Sequence, residues 1–439
     1  TSRINYGVDY FISENSSLSA FYINGNHTGV QLNVSLNPKT DSVGDFLEGN
    51  PEPYYPEPFP INSFVDELAE RKNIEEIKII TCLPNYRNYK FYDNYNIWGP
   101  YKEKKGKINI IRLPVIPRYS NSSLAIFLFY LSFFFSSSIF LFFFSLFNRN
   151  KYNHILTFCG SPVFVGYIGF IASRILNTQS SQWVQDIWPE AIETTVGMKN
   201  KILKNFVFKL QNYMWKFSDI LFCESDSLST YLKKFNKNFK VITLYNPIRN
   251  ENFLEYKKKQ ATDKLQFSYI GNMGSAQNIE MIVRCFIKSN IDNSILNMCG
   301  DGKLFVPLSN KYKNSNIRWH GWLSGKNLEQ IYSISDFFIL SLQSIGRQGL
   351  IIPSKVQSYF MNRKPIICIS TGASRELIKK INGGITCDQI SDDETIKMYK
   401  KALKLSANEK NLMGENSYQY YLRHFTKKNI VNEFLDNIE

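Results

Sequence analysis

Lys355 stands where a helix is expected to begin, behind Pro353 and Ser354 in the stretch Gly349-Leu-Ile-Ile-Pro-Ser-Lys355. Proline suits a first helical turn, whereas a lysine there opposes the helix dipole. Two readings are open. The lysine is solvated and its small penalty tolerated, or it is a cation that pairs with a diphosphate held at the helix start. Tyr269-Ile270-Gly271-Asn272-Met273-Gly274 runs a strand into a glycine loop before an expected helix over 279–286. Glycine lets backbone approach a phosphate closely, although such turns are common in α/β proteins. Gly300-Asp301-Gly302 follows an expected strand over 294–299 and is by itself a tight turn. His320-Gly321-Trp322 follows another strand, and its tryptophan packs on a ring or fills the core. In Trp183-Val-Gln185-Asp186-Ile-Trp188-Pro189-Glu190, two tryptophans flank an aspartate at a strand end. Asp186 there either orients a hydroxyl or stabilises developing positive charge, or simply caps a helix.

These groups need a scaffold, and the hydrophobic pattern supplies one. Strands are expected at Ile77–Cys82, Ile108–Leu113, 154–158, 182–186, Ile220–Cys223 and 240–244. Helices are expected at 61–71 and 162–176. After a polar linker over 250–264, a second series begins at Leu265–Ile270 and continues at Ser294–Cys299, 317–320, 337–342 and 365–369. Alternating strands and helices imply parallel sheets with crossover helices. Two successive doubly wound domains would place ligands at the carboxyl ends of their strands, in a cleft. Residues 1–45 stand apart: Leu18–Tyr22 and Val30–Leu36 alternate apolar and polar around Asn24-Gly25-Asn26, a hairpin pattern. A proline-rich loop follows at Pro51–Pro60.

Composition narrows the partners. The chain has 439 residues, a net charge of +14, and 34 Phe, 26 Tyr and 6 Trp. Basic charge with many aromatics points to nucleic acid or a membrane surface. Lysines are spread over both domains without a compact basic cluster, which disfavours nucleic acid. The seven cysteines lack paired spacing and only four histidines exist, so no metal site is expected. Most cysteines lie in apolar runs and read as buried free thiols of a reduced compartment. No signal-peptide pattern is visible at the start of the chain.

Residues 124–147 carry no charge and hold ten of the phenylalanines. Their length allows a membrane span. Two strands of one expected sheet flank them, however, and Ser136-Ser137-Ser138 interrupts their centre. A helix lying in the interface or a re-entrant helical hairpin fits better, with a buried core helix as the alternative. The basic aromatic segment 200–216 suits either an anionic lipid surface or a core helix with a solvated lysine face.

Taken in order, Trp-Val-Gln-Asp-Ile-Trp-Pro-Glu, Tyr-Ile-Gly-Asn-Met-Gly, Cys-Gly-Asp-Gly and Ile-Ile-Pro-Ser-Lys resemble glycosyltransferase family 4. They are most similar to its bacterial N-acetyl-fucosaminyltransferase-like subgroup of O-antigen and capsule assembly. The resemblance covers about residues 51–439. It implies a GT-B fold, meaning two Rossmann-like doubly wound domains with an interdomain cleft, here with an N-terminal hairpin-like extension. The expected divisions are 1–50 (extension), 51–250 (acceptor domain), 251–415 (nucleotide-sugar domain) and 416–439 (a helix crossing back). The implied reaction moves an N-acetylated amino or deoxy sugar from a nucleotide-diphosphate donor, expected to be UDP-linked, to a saccharide on polyprenyl diphosphate. It would retain configuration and need no metal or other cofactor. The implied place of action is the cytoplasmic face of the cell membrane.

By position, the resemblance makes Lys355 and Asp186 the catalytic pair. It puts the donor against Gly271, Asn272, Gly274, Gly300, Asp301, Gly302, Trp322, Arg347, Pro353, Ser354 and Lys355. Glu57, Trp183, Gln185, Trp188 and Glu190 fall on the acceptor side. Two departures stand out. Leu350 and Ser358 occupy the spacing at which many relatives carry two glutamates. The polar stretch 41–50 replaces the strand expected before the Pro56-Glu57 loop. A nucleotide-sugar epimerase of the same fold and a non-catalytic membrane scaffold are the competing readings.

Overall fold

The computed structural model describes residues 19–24, 60–83, 95–117, 119, 123–159, 165–185, 187–190, 200–235, 240–247, 264–323, 325–343 and 346–438. Their strands are β1 (Ser19–Asn24), β2 (Glu76–Cys82), β3 (Tyr101–Lys105), β4 (Ile108–Leu113), β5 (His154–Cys159), β6 (Gln179–Val184), β7 (Ile220–Cys223), β8 (Lys240–Thr243), β9 (Leu265–Ile270), β10 (Ser294–Cys299), β11 (Ile317–Gly321), β12 (Phe337–Ser341), β13 (Ile366–Ile369) and β14 (Gly384–Thr386). The helices are α1 (Pro60–Ala69), α2 (Ser123–Phe147), α3 (Val165–Leu176), α4 (Lys201–Trp215), α5 (Asp226–Lys233), α6 (Ile279–Ser289), α7 (Phe305–Lys311), α8 (Gly325–Ile334), α9 (Lys355–Met361), α10 (Ala373–Lys380), α11 (Asp392–Lys404), α12 (Ala407–His424) and α13 (Lys427–Ile438).

The chain forms two compact units. One is built mainly from Asn250–Asn429, the other from Phe11–Glu224, Ser229–Arg249 and Ile430–Glu439. The second half of the chain carries a six-stranded sheet in the order β11-β10-β9-β12-β13-β14. All its pairings are parallel. The strand order reverses between β9 and β12. In doubly wound sheets that switch point opens a crevice beyond the carboxyl strand ends. Phe267 stacks on Phe337 at 5.4 Å and meets Tyr399 edge-on at 5.3 Å, so adjacent strands and α11 share one aromatic core. α12 belongs to this unit: Arg363 lies 3.7 Å over the Tyr418 ring, and Phe360 meets Tyr420.

The first half carries an eight-stranded sheet, β3-β4-β2-β1-β5-β6-β7-β8. β2 runs parallel to β4, and β5 to β8 run parallel in turn. β1 lies between β2 and β5, antiparallel to both. Ser19–Asn24 is therefore a member of this sheet rather than a piece standing apart, and it fills the centre that the polar stretch 41–50 seemed to leave open. The partner expected for it at Val30–Leu36 and residues 51–59 of the proline-rich loop lie outside the described residues. α13 closes the unit's core. Phe434 packs at 5.2 Å against both Phe64 and Phe222, and beside His154. The packing of this last stretch into the first unit begins at Ile430, and α12 before it stays with the second.

β3 was missed from sequence because Tyr-Lys-Glu-Lys-Lys has no apolar alternation. An ion pair holds it. The buried Arg112 donates from Nε and Nη2 to both Glu103 oxygens, at 2.5 and 3.1 Å, and Tyr95 donates to Glu103 at 2.7 Å. Burial opposes ionisation of Glu103, but the Arg112 hydrogen bonds and charge hold its carboxyl below the usual range.

α2 is one continuous helix, which corrects the re-entrant hairpin. The serine triplet does not break it, because Ser136 and Ser137 return their hydroxyls to the Phe133 carbonyl. Its buried stripe, Ala125, Phe129, Phe133, Ser137, Leu141 and Ser145, repeats every four residues. The stripe packs with Val165, Ile168 and Ala172 of α3 and with strands β2, β4 and β5.

All seven cysteines are free and buried. His154 is buried inside the first sheet, with Nε2 at 2.7 Å from Ser181 Oγ and Nδ1 at 3.1 Å from Gln179 Oε1. Burial lowers its pKa to about 3. The native state therefore refuses a proton that the unfolded chain accepts near pH 6.5. Stability from this site is fully present above about pH 6.5 and falls as the pH drops from there toward 3. Urea midpoints at pH 7 and pH 5 should show this decline in the native chain, and a markedly smaller one in His154→Gln.

Candidate functional site

The crevice side of the second unit is assembled from strand ends. At the end of β9, Gly271 N–H donates to Cys299 O at 2.9 Å, and at the end of β10, Gly300 N–H donates to Gly321 O at 2.7 Å. The three parallel strands thus feed their glycine turns into one place. Gly300 has φ +129° and Gly302 has φ +142°, conformations that side chains rarely adopt. A Cβ on Gly300 would lie 2.0 Å from Gly271 O, and one on Gly302 would lie 2.5 Å from Asn272 Oδ1. The two loops therefore pack backbone against backbone. Met273 N–H donates to Asp301 O at 2.8 Å and Leu304 N–H to Met273 O at 2.9 Å, which ties them together. Asp301 itself turns its carboxylate to the Gly302 N–H at 2.7 Å.

The helix after the glycine loop begins at Ile279, as expected from sequence. Between loop and helix lies a 3₁₀ turn, Ser275–Gln277, and the Gln277 side chain accepts from Gly274 N–H at 3.1 Å. Just past the end of the neighbouring β12, Gln343 N–H donates to Ala276 O at 2.7 Å, which pins the turn across the switch point.

Lys355, the first residue of α9, reaches this loop. Its Nζ donates to Tyr269 Oη at 3.0 Å and lies 4.3 Å over the same ring. A Cβ on Gly271 would sit 2.6 Å from that ammonium and displace it, and the φ of +141° at this position is one that side chains rarely adopt. Tyr269 is fully buried and its hydroxyl donates to Asn272 O at 2.5 Å. Tyr359, also fully buried and on α9, is bonded at 3.1 Å to both the N–H and the carbonyl of Ile270. Two tyrosines thus fix the lysine and its helix to the end of β9. Neither was singled out from sequence, where Tyr269 stands only as the end of a strand and Tyr359 only as part of the helix after Lys355. The tyrosine in Tyr-Ile-Gly, one strand alternation before the glycine, was the available signal.

The other expected donor-side residues sort as follows. Pro353 and the exposed Ser354 precede α9, with Ser354 as N-cap and no side-chain capping bond. Arg347 lies half-buried in a 3₁₀ turn, Gly346–Leu350, whose Gly349 carbonyl is in close approach to Gly372. Trp322 is 42% exposed beyond β11. Its neighbour Trp319 instead packs on Phe305. His320 bonds Asn297 Oδ1 at 3.0 Å. Burial, and secondarily Arg318, lower its pKa.

On the first unit, the acceptor-side expectation is partly corrected. Trp183 is wholly buried, edge-on to Phe64 and Phe158, with Nε1 donating to Leu244 O at 3.1 Å. It is a core residue, because the inward face of β6 needs a large apolar side chain. Gln185 lies beyond the end of β6 and meets the Asn246 amide at 2.7 Å, with Glu224 bonded to the same amide. These three polar groups follow β6, β7 and β8, so Glu224 and Asn246 join a strand-end cluster that the motif reading had limited to Gln185. Trp188 is half-buried and its N–H donates to Gln211 at 2.9 Å, while Glu190 is half-buried. Asp186 and Glu57 lie outside the described residues. Among the described residues, no three His, Cys, Asp or Glu side chains gather as metal ligands would.

Residues 251–420 match the family model described as glycosyl transferases group 1. No curated protein sequence matches the chain. Among solved structures, Anabaena HepE in complex with UDP and glucose is 10% identical, with a TM-score of 0.53 over 76% of this chain and 86% of that one. Sucrose-phosphate synthase from Thermosynechococcus elongatus is 13% identical, with 0.54 over 79% and 85%. Trehalose 6-phosphate synthase from Burkholderia multivorans is 8% identical, with 0.56 over 78% and 85%. The fold is GT-B. Within it, the match over 251–420 spans the part of the chain that holds Lys355 and the paired glycine loops.

The loop contacts make a stability prediction. Gly300→Ala forces a Cβ into the Gly271 carbonyl at a positive φ and should cost about 3 kcal/mol or more. Tyr269→Phe leaves the Asn272 carbonyl and the Lys355 ammonium short of a partner and should cost about 1–3 kcal/mol. Chemical denaturation of the two variants against the native chain measures both.

Proposed function

We propose that the chain is a glycosyltransferase that takes a nucleotide-diphosphate sugar on its second unit and transfers the sugar to a saccharide carried on a polyprenyl diphosphate. The observation that carries this reading is the ammonium of Lys355 held against the Gly271 turn at the switch point of a parallel sheet. In that place a diphosphate would find a cation, and backbone that carries no side chain to fend it off. Lys355 would neutralise charge building on the leaving diphosphate, which needs positive charge placed in advance. That chemistry requires no metal, and we propose none. UDP is the nucleotide we favour, since HepE was solved with UDP and glucose and shares the fold.

The finer assignment rests on the motif order described above. It is a family 4 enzyme of the N-acetyl-fucosaminyltransferase-like subgroup, retaining, moving an N-acetylated amino or deoxy sugar during O-antigen or capsule assembly. Such an acceptor is embedded in lipid, so the work is done at the cytoplasmic face of the cell membrane by a peripheral or monotopic protein. Gln185 and Glu190 remain on the acceptor side of this scheme, joined by Glu224. Asp186 keeps the role of orienting the accepting hydroxyl.

Full-length protein incubated with UDP-linked amino sugars and a polyprenyl-diphosphate saccharide should extend the lipid-linked product by one residue, read by mass spectrometry. Lys355→Ala should lower kcat/KM about 100-fold. Transfer that is unchanged in Lys355→Ala, or the absence of transfer from every nucleotide sugar, overturns the proposal.

A further inference from the structure

The outer surface of the first unit presents apolar side chains where water would be expected. On α2, Phe127, Phe135, Ile139, Phe142, Phe143 and Phe147 are all exposed, Phe147 to 85%. They lie opposite the buried stripe that packs on the sheet, so this helix is apolar on both faces. Soluble monomers rarely leave so continuous an apolar surface open. α3 packs beside α2 and exposes Ile171. α4 joins α3 through Tyr167, whose hydroxyl donates to Leu210 O at 3.0 Å, and through Phe217, 4.6 Å from Phe170 and 4.7 Å from Tyr213. α4 in turn exposes Ile202, Phe206 and Tyr213. The three helices form one connected layer.

Their charge is one-sided. None of α2, α3 or α4 contains an aspartate or glutamate. Lys201, Lys204 and Lys209 lie on α4 and Lys216 caps it, Arg174 ends α3, and Arg149 and Lys151 follow α2. Asp219, at the start of β7, answers Arg174 at 3.7 Å. Exposed aromatics beside cations, with the helices contributing no acid, are complementary to an anionic bilayer surface.

Spanning is incompatible with the topology. α2 connects β4 to β5, which lie in the same sheet, and one whole stripe of the helix is covered by protein. Ser132, Ser136 and Ser137 bond carbonyls of their own helix, so these three hydroxyls are satisfied without water.

We infer that α2, α3 and α4 together are a lipid-docking face, which lays the first unit on an anionic membrane with α2 in the plane of the interface. The inference extends the membrane placement above but stands on this surface rather than on the donor site, and the two fail separately. The test is co-sedimentation of the full chain with vesicles of phosphatidylcholine alone and of phosphatidylcholine with phosphatidylglycerol at a ~3:1 ratio. Binding should require phosphatidylglycerol and be reversed by high salt. The triple variant K201E/K204E/K209E should bind about tenfold or more weakly. F135S/I139S/F143S should lose binding while keeping its affinity for UDP, and those side chains are exposed, so the fold should tolerate the change. Equal binding to both vesicle types, protein extractable only by detergent, self-association through this face without vesicle binding, or unaltered binding in both variants would overturn the inference. Loss of UDP affinity in the native chain would instead strike the glycosyltransferase reading and leave this one standing.

Discussion

The second unit depends on one close approach, that of the Gly300 α-carbon to the Gly271 carbonyl. Nothing larger than hydrogen fits there. That contact lets β9 and β10 end side by side in loops that touch through backbone, with no side-chain layer between them. Asn272 and Met273 are then held by main-chain bonds, and Tyr269 can offer its hydroxyl to Asn272 O from below. The same hydroxyl receives the Lys355 ammonium. The position of the only lysine in the Pro-Ser-Lys turn is thus set by two glycines with unusual backbone and a buried phenol. Such a group is prepared before any ligand arrives, so little reorganisation is left for binding.

The legibility of these parts from sequence differs for physical reasons. Ile77–Cys82, Ile108–Leu113, Leu265–Ile270 and Ser294–Cys299 are rich in branched apolar residues bounded by polar turns, and they fold as read. Tyr101–Lys105 is not apolar at all. It is a sheet edge that survives on the bidentate Arg112–Glu103 pair, and a pairwise tertiary bond leaves no trace in local pattern. Ser19–Asn24 was visible as a strand, but its place between β2 and β5 is non-local information. The glycine turns were visible, and Lys355 was visible through its conflict with the helix dipole. Tyr269 and Tyr359 were not, because a buried tyrosine that packs and one that also bonds the chain end look alike in one sequence. Trp183 shows the converse. Its neighbours made it seem functional, and the inward pleat of β6 made it core.

The apolar segment 124–147 marks the limit of periodicity as a guide. A helix that is apolar all round gives no phase, so its sequence cannot say which stripe meets the protein. The four-residue repeat from Ala125 to Ser145 that contacts the sheet is chosen by the neighbours. Those are α3 and the strands on either side, which are fixed by their own stronger patterns. The serines within the helix looked like a break only while their hydroxyls had no assigned partners.

The charge of +14 is spread over surfaces of two kinds. In the second unit, surface cations commonly face carboxylates: Arg284 and Lys288 share Asp392, Lys311 meets Glu280, and Arg375 meets Asp388. Exposed pairs of this kind add little stability, but they cancel the field that each lysine or arginine would project. α4 has no carboxylate of its own with which to do this, and it lies against α3, whose sole charge is Arg174. The first unit has such pairs too, among them Arg71–Glu67 and Lys105–Asp66, but the cations of α3 and α4 sit beside the phenylalanines of α2 on helices that bring no carboxylate of their own. The basic composition therefore resolves into ion-paired surfaces on both units and one apolar layer of three adjoining helices whose own charged residues are all cationic.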